Sequence, residues 1–224
     1  MTRVKIAFVL DCTGSMECWI RAAKTKIREI VNTTQREHPD ANIEVGLVGY
    51  RDYDDVERFI IVDFTTPEVV MRRLAPVEAD GGGDEAEDIA HALQQMLGMA
   101  WDDADIRMVF HIADSPAHGT MFHRPSVSDQ FPKGDPEGLD PRALMKTMSD
   151  LAFVYTFVKI TSTTDTMLDV FHNSWVGAGV FQVIDLSPQR VGRGRGTDTS
   201  DLLSPAVSRA VSHAIDHYTL SQGT

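Results

Sequence analysis

Val4-Lys5-Ile6-Ala7-Phe8-Val9-Leu10, followed at once by Asp11-Cys12-Thr13-Gly14-Ser15-Met16, is the stretch on which the fold reading turns. An apolar run this short, broken by one lysine, has the character of a strand buried on both faces, as strands of a parallel sheet are. The polar turn behind it runs into a helical pattern from Ser15 to Glu37. There Trp19, Ala23, Ile27 and Ile30 recur at three- and four-residue spacing, and Pro39 ends the pattern. Strand, polar turn and helix in that order are the opening unit of a doubly wound α/β domain.

The rest of the chain repeats the alternation. Ile43–Tyr50 and Arg58–Phe64 read as strands close enough to form a hairpin, which places one antiparallel strand on the sheet. Pro67–Leu74 is a short helix with proline in its first turn. Gly81-Gly82-Gly83 breaks the chain before a second long helix, Glu85–Met99. Ile106–Ala113 and Ala152–Ile160 are strands. Between them lie a loop rich in Pro, Gly and His, Ser115–Asp140, and a helix from Pro141. Thr164–Trp175 is a helix, Gly179–Leu186 the last strand and Leu202–Leu220 the closing helix. The expected architecture is one domain over 1–224, with a mainly parallel sheet, one antiparallel edge strand and helices on both faces. Residues 187–200, which include Gly192-Arg193-Gly194-Arg195-Gly196, read as a flexible linker before the closing helix.

With 224 residues, 42% of them hydrophobic, the chain can bury a sizeable core. A formal charge of −12 argues against a nucleic-acid partner and favours cations. Neither a signal peptide nor an apolar run long enough to span a membrane is visible, so a cytoplasmic location is expected. Cys12 and Cys18 sit too close to form a disulfide scaffold.

Ligands of open α/β sheets gather at the carboxyl ends of the strands. Three oxygen-bearing clusters fall there: Asp11–Ser15 after the first strand, Gly82-Gly83-Asp84-Glu85 at a helix start, and Asp114 after Ala113. In an extended turn, residues two apart point the same way, so Asp11, Thr13 and Ser15 can converge while Gly14 makes the tight turn. Hard oxygens from three loops suit Mg²⁺ or Mn²⁺. Hydroxyl ligands leave such an ion electron-poor and ready for a carboxylate from outside.

Asp11-Cys12-Thr13-Gly14-Ser15 resembles the Asp-x-Ser-x-Ser element of the metal-ion-dependent adhesion site in von Willebrand factor A domains, and Ala113-Asp114-Ser115 looks like that family's later Asp. The strings Leu10–Met16, Gly49-Tyr50-Arg51-Asp52 and Ile112–Gly119 look most like the A domains found with α-kinases and their intracellular relatives. The resemblance implies a Rossmann-like domain whose metal ligands are Asp11, Thr13, Ser15, Asp84 and Asp114. It implies a function in binding a protein partner through an acidic side chain. Asp84 falls where the family has a threonine, and a carboxylate there weakens the pull on an acidic ligand while tightening the metal.

Plainer readings stand beside these. Asp84 with Glu87 fits a capping box, Ser15 an N-cap, and Asp-Ser-Pro at Asp114 a turn. His118 and His123 read as polar surface residues of the long loop, and His213 and His217 as a helix face lacking a zinc motif. His111 reads as a core or sheet-face residue. Asp52, Asp54 and Asp55 read as a solvated hairpin tip, and Met96, Met99, Met145 and Met148 as core filling. Cys12 points into the core. Two other functional classes remain: a metal-dependent hydrolase or phosphotransferase, which lacks its second Asp because Thr13 stands there, and a structural domain with a degenerate metal site.

Overall fold

In the computed structural model, residues 1–187 and 202–222 are described. Six strands form one sheet: β1 (Thr2–Asp11), β2 (Ala41–Tyr50), β3 (Phe59–Thr65), β4 (Ile106–Ala113), β5 (Val154–Lys159) and β6 (Val180–Asp185), in the order β3-β2-β1-β4-β5-β6. All neighbours are parallel except β2 and β3, which pair antiparallel as the hairpin reading expected. Six helices cover it: α1 (Glu17–Glu37), α2 (Pro67–Leu74), α3 (Ile89–Leu97), α4 (Pro141–Asp150), α5 (Asp165–Ser174) and α6 (Leu203–Gln222). Nearly all of the segment reading for 187–200 lies outside the described residues.

The central strand explains why both faces are covered. Val4, Ile6, Phe8 and Leu10 enter one core, shared with Trp19 and Ile27 of α1, Val70 of α2 and Val207 and Val211 of α6. Ala7 and Val9 enter the other, shared with Leu93 of α3, Met145 and Met148 of α4, and Phe171 of α5. Met96 and Met99 fill that second core too, as expected. Chain order reverses between β1 and β4, so the loops leaving their carboxyl ends diverge and open a crevice. Among the described residues, no helix is long and apolar enough to cross a membrane.

Helix α3 starts four residues later than its periodicity suggests. Glu85 and Ala86 donate their N–H groups to Ser128 O at 3.2 Å, and Glu87 donates to Pro116 O at 2.9 Å, so this segment is held by the long loop. Asp88, rather than Asp84, is the N-cap and accepts from His91 N at 3.1 Å. The Asp84–Glu87 capping box is therefore not formed. One expected role in the first loop also differs, that of Ser15. Neither Ser15 nor its neighbours make a side-chain cap, and Gly14 takes no left-handed backbone conformation, whereas Gly81 and Gly82 do.

His111 is a core residue, fully buried on β4. One ring nitrogen meets the Tyr50 hydroxyl of β2 at 3.0 Å, the other the Tyr155 hydroxyl of β5 at 2.7 Å, and the Phe157 ring packs against it. Burial pushes its pKa from 6.5 down to about 3, and holds both tyrosines well above their usual value as neutral phenols. Between those two pH values the unfolded chain binds a proton that the folded protein refuses. Stability therefore falls as pH drops from 6.5 toward 3. We expect the loss to be several kcal/mol at most (~1.4 kcal/mol per pKa unit) and to be smaller in His111→Gln. Parallel melting curves of the two proteins across this window check it, and identical pH profiles would refute it.

Candidate metal centre at the sheet rim

Asp11 ends β1 and is fully buried. Its Oδ1 accepts from Thr13 N at 2.9 Å and from Thr13 Oγ1 at 2.6 Å, an arrangement that folds the turn back on the carboxylate. Its Oδ2 is buried and has no hydrogen-bond partner. A carboxylate oxygen so placed lacks a counter-charge. Cys12 turns the other way, into the core as expected, with Sγ 3.4 Å from Leu10 O. Burial, and then Asp11, push its thiol up to about 12, which removes it as a nucleophile.

Thr13, Ser15, Asp84 and Asp114 line one cavity of about 520 Å³, together with Glu87, Thr161 and Thr163. Four of the five residues named from the sequence thus line this cavity, and Asp11, which does not, is tied to it through its hydrogen bonds with Thr13. Ser15 is exposed at the mouth and Asp114 half-buried at the end of β4. Thr161 Oγ1 (2.5 Å) and Thr163 Oγ1 (2.6 Å), beyond β5, donate to the Asp114 carbonyl and fix that loop. Asp84 has a divided position: one oxygen accepts from Gln130 N, the other is buried without a partner, and the carboxylate stands beside Asp52 and His118.

Glu87 is the residue that sequence reading assigned to the wrong task. It is 3% exposed, and its Oε2 has no hydrogen-bond partner. A Cβ on Gly82 would lie 2.9 Å from Glu87 Oε1 and 3.3 Å from Thr13 Cβ, so glycine here lets the carboxylate reach Thr13. Burial, then Asp114, push the Asp11 carboxyl up to about 7. Burial, then Asp11 and Asp52, push Glu87 well above the usual carboxylate range. Asp11 thus stands in the field of Asp114, and Glu87 in that of Asp11, around a cavity that also presents the hydroxyls of Thr13 and Ser15. The donor set fits a hard divalent cation.

The loops are tied by their backbones. Arg51, 6% exposed, donates from Nε to Cys12 O (3.2 Å), from Nη1 to Glu57 O (2.7 Å) and from Nη2 to Glu78 O (2.9 Å). Asp55 accepts from Asp52 N (2.9 Å) and Gly82 N (3.1 Å), and its carboxylate fills the space a Cβ on Gly81 would need. Of the three aspartates read as a solvated tip, only Asp54 is exposed.

The long loop is not a solvent loop either. His118 and His123, expected at the surface, are 4% and 6% exposed. His118 bridges Asp52 (Nε2, 2.7 Å) and Asp129 (Nδ1, 2.8 Å), and His123 Nε2 meets the second Asp129 oxygen at 2.9 Å. A neighbouring group, Asp88, His91 and Asp135, is already satisfied by Arg58, whose Nε donates to Asp88 at 2.7 Å, and by Tyr53, which donates to Asp135. His213 and His217 are exposed on α6.

Known proteins resemble this chain in sequence or in fold. The chain is 33% identical over 171 residues to "Alpha-protein kinase vwkA" of Dictyostelium discoideum, a match covering 75% of this chain but only 27% of that protein. The pilus adhesin SpaC of Lactobacillus rhamnosus GG superposes with a TM-score of 0.64 at 15% identity, over 97% of this chain and 30% of the other. The SpRpn10 VWA domain superposes with a TM-score of 0.56 at 13% identity, over 91% and 94%. Proximal thread matrix protein 1 of the mussel byssus does so with a TM-score of 0.60 at 14% identity, over 95% and 46%. Those three likenesses are of fold. A family model described as the von Willebrand factor A domain matches residues 5–125, which hold most of β1 and the chain on through Asp114, and the chain belongs to that family.

Proposed function

We propose that this domain binds Mg²⁺ or Mn²⁺ at the rim, through Asp11, Thr13, Ser15 and Asp114 with Glu87 as a fifth donor. The bound ion then recruits an acidic group of a protein partner. The observation that carries this reading is Asp11 Oδ2, fully enclosed, without a hydrogen-bond partner and in the field of Asp114. A resident cation supplies the counter-charge and a Lewis-acidic position facing solvent. Thr13 fixes the Asp11 carboxylate in one rotamer, and Thr161 and Thr163 hold the Asp114 loop in place. Asp84 lines the same cavity from its far side.

The family is typically one of protein-interaction modules, and the reading here is non-catalytic. Thr13 stands where a phosphotransferase of similar layout needs a second aspartate, and the Cys12 thiol is sealed in the core. The setting proposed is cytoplasmic, in line with the likeness to a protein named as a kinase. Glu87 sets how strongly the ion draws an anion, because each carboxylate added to the shell cancels part of its charge. Calorimetric titration with Mg²⁺ and Mn²⁺ tests the proposal. Asp11→Ala should lose binding, Asp84→Thr should keep it, and Glu87→Gln should keep a weaker metal site with stronger affinity for a carboxylate ligand. Capture of a partner should be lost with EDTA and with Asp11→Ala. Wild-type protein that takes up neither ion at millimolar concentration would end this reading.

A further inference from the structure

We propose that His118, Asp52 and Asp84 form a second metal site beside the rim cavity, one that takes Zn²⁺ rather than Mg²⁺. One ligand atom from each of these residues lies within 4.8 Å of the others. His118 and Asp52 are each 4% exposed. The site does not depend on an ion at Asp11, although both sites share the 81–84 loop.

The hydrogen bonds around the ring decide which nitrogen is available. Asp129 accepts from Gly119 N (2.8 Å) and Phe131 N (2.8 Å) and touches both histidines. With two amide N–H donors and a ring nitrogen of each histidine on its oxygens, it serves as the acceptor at His118 Nδ1. A carboxylate there holds the proton on that nitrogen. Nε2 is left to face Asp52 Oδ1 at 2.7 Å, with Asp84 close by. Carboxylate–histidine pairs of this kind orient imidazole ligands and raise their basicity in zinc proteins. The ring is also held by its walls, 5.4 Å from Tyr53 and 5.0 Å from Phe131 between centroids.

At 2.7 Å a hydrogen bond joins Nε2 to Asp52, and a metal ion entering between His118, Asp52 and Asp84 would take that proton's place. A proton on Nε2 satisfies Asp52 but leaves Asp84 Oδ1 as it stands, buried and without a partner. A metal ion accepts electron pairs from all three groups at once. One imidazole nitrogen and two carboxylates, at a rim where Asp84 is partly exposed, make a three-ligand site with a fourth position open to water or to a partner's side chain. The nitrogen donor selects Zn²⁺ over Mg²⁺.

The test is calorimetric Zn²⁺ titration of the full chain in saturating Mg²⁺, followed by Co²⁺ titration read by visible absorption. We expect one zinc ion per chain. Asp84→Asn and His118→Gln should lose the binding, Asp129→Asn should weaken it roughly 10–100-fold, and Asp11→Asn should leave it intact. Asp84 is the less buried member, so Asp84→Asn serves if His118→Gln fails to fold. In wild-type protein, the Nε2 resonance of His118 should move on Zn²⁺ addition in ¹⁵N spectra. Unchanged zinc affinity in Asp84→Asn, or an unmoved His118 resonance, overturns the proposal. Zinc binding that disappears in Asp11→Asn but survives in Asp84→Asn also overturns it, because the ion is then in the rim cavity. Loss of Mg²⁺ binding by Asp11→Asn with zinc binding retained separates the two sites.

Discussion

Asp11→Asn is expected to abolish Mg²⁺ binding and, with EDTA present at neutral pH, to make the protein more stable than wild type by roughly 2–4 kcal/mol. Both effects come from the same atom. Asp11 is fully enclosed at the end of β1, and folding takes its charge out of water. Thr13 compensates one oxygen through two hydrogen bonds, but Oδ2 has no donor and faces the field of Asp114. Asn keeps the acceptor that Thr13 uses, removes the charge, and offers an N–H pair toward the neighbouring carboxylates. What it cannot do is serve as an anionic ligand for a hard ion. The checks are urea denaturation with EDTA and with Mg²⁺. Wild type should gain stability when Mg²⁺ is added, and the variant should not. A variant less stable than wild type in EDTA would show that the buried carboxylate is compensated in some other way.

Arg51→Met should cost about 3–5 kcal/mol of stability and weaken Mg²⁺ binding at least tenfold. The guanidinium reaches three backbone carbonyls, of Cys12, Glu57 and Glu78, from inside the protein. Each belongs to a different segment: the first rim loop, the β2–β3 turn and the approach to Gly81. Met fills much of the volume but takes the guanidinium donors from all three carbonyls; Cys12 O keeps Asp80 N at 3.2 Å, and a buried acceptor left without a donor is worth about 1–3 kcal/mol. The loss at the metal follows because Cys12 lies between Asp11 and Thr13. Arg51→Lys is not a conservative change here, since an ammonium group cannot span three diverging carbonyls. Denaturation midpoints and Mg²⁺ titration of both variants measure the effect, and a lysine variant indistinguishable from wild type would refute it.

How much of this was legible in the residues depended on range. The run Val4–Leu10 and the exact match of Pro67–Leu74 and Ile106–Ala113 to observed elements reflect local patterns strong enough to set their own structure. The antiparallel strand followed from the short Asp52–Asp55 turn. Helix α3 was misjudged at its start because Ser128 O and Pro116 O, far along the chain, hold the N–H groups of residues 85–87 outside the helix. The same long-range contact made Asp84 look like a cap and concealed Glu87 as a buried carboxylate. Only its spacing of three from Asp84 drew notice. Thr161 and Thr163 went unnamed although they follow a strand at the carboxyl rim, a position that by itself marks candidates. His118 and His123 were read as surface residues because no helical or strand periodicity in the Ser115–Asp140 loop points to Asp129, which pairs with both, or to the distant Asp52, which pairs with His118.

The strand order has a consequence for how the protein is made. β4 pairs on one side with β1, long since synthesised, and on the other with β5, which begins only at Val154. A growing chain that has passed Ala113 therefore carries every rim donor on a half-built scaffold, with one flank of β4 still open to any extended segment nearby. Translation of the intervening loop and α4 at roughly 5–20 residues per second leaves that flank uncovered for seconds. Nascent chains halted between Ala113 and Val154 should accordingly depend on chaperones far more than chains halted beyond Lys159.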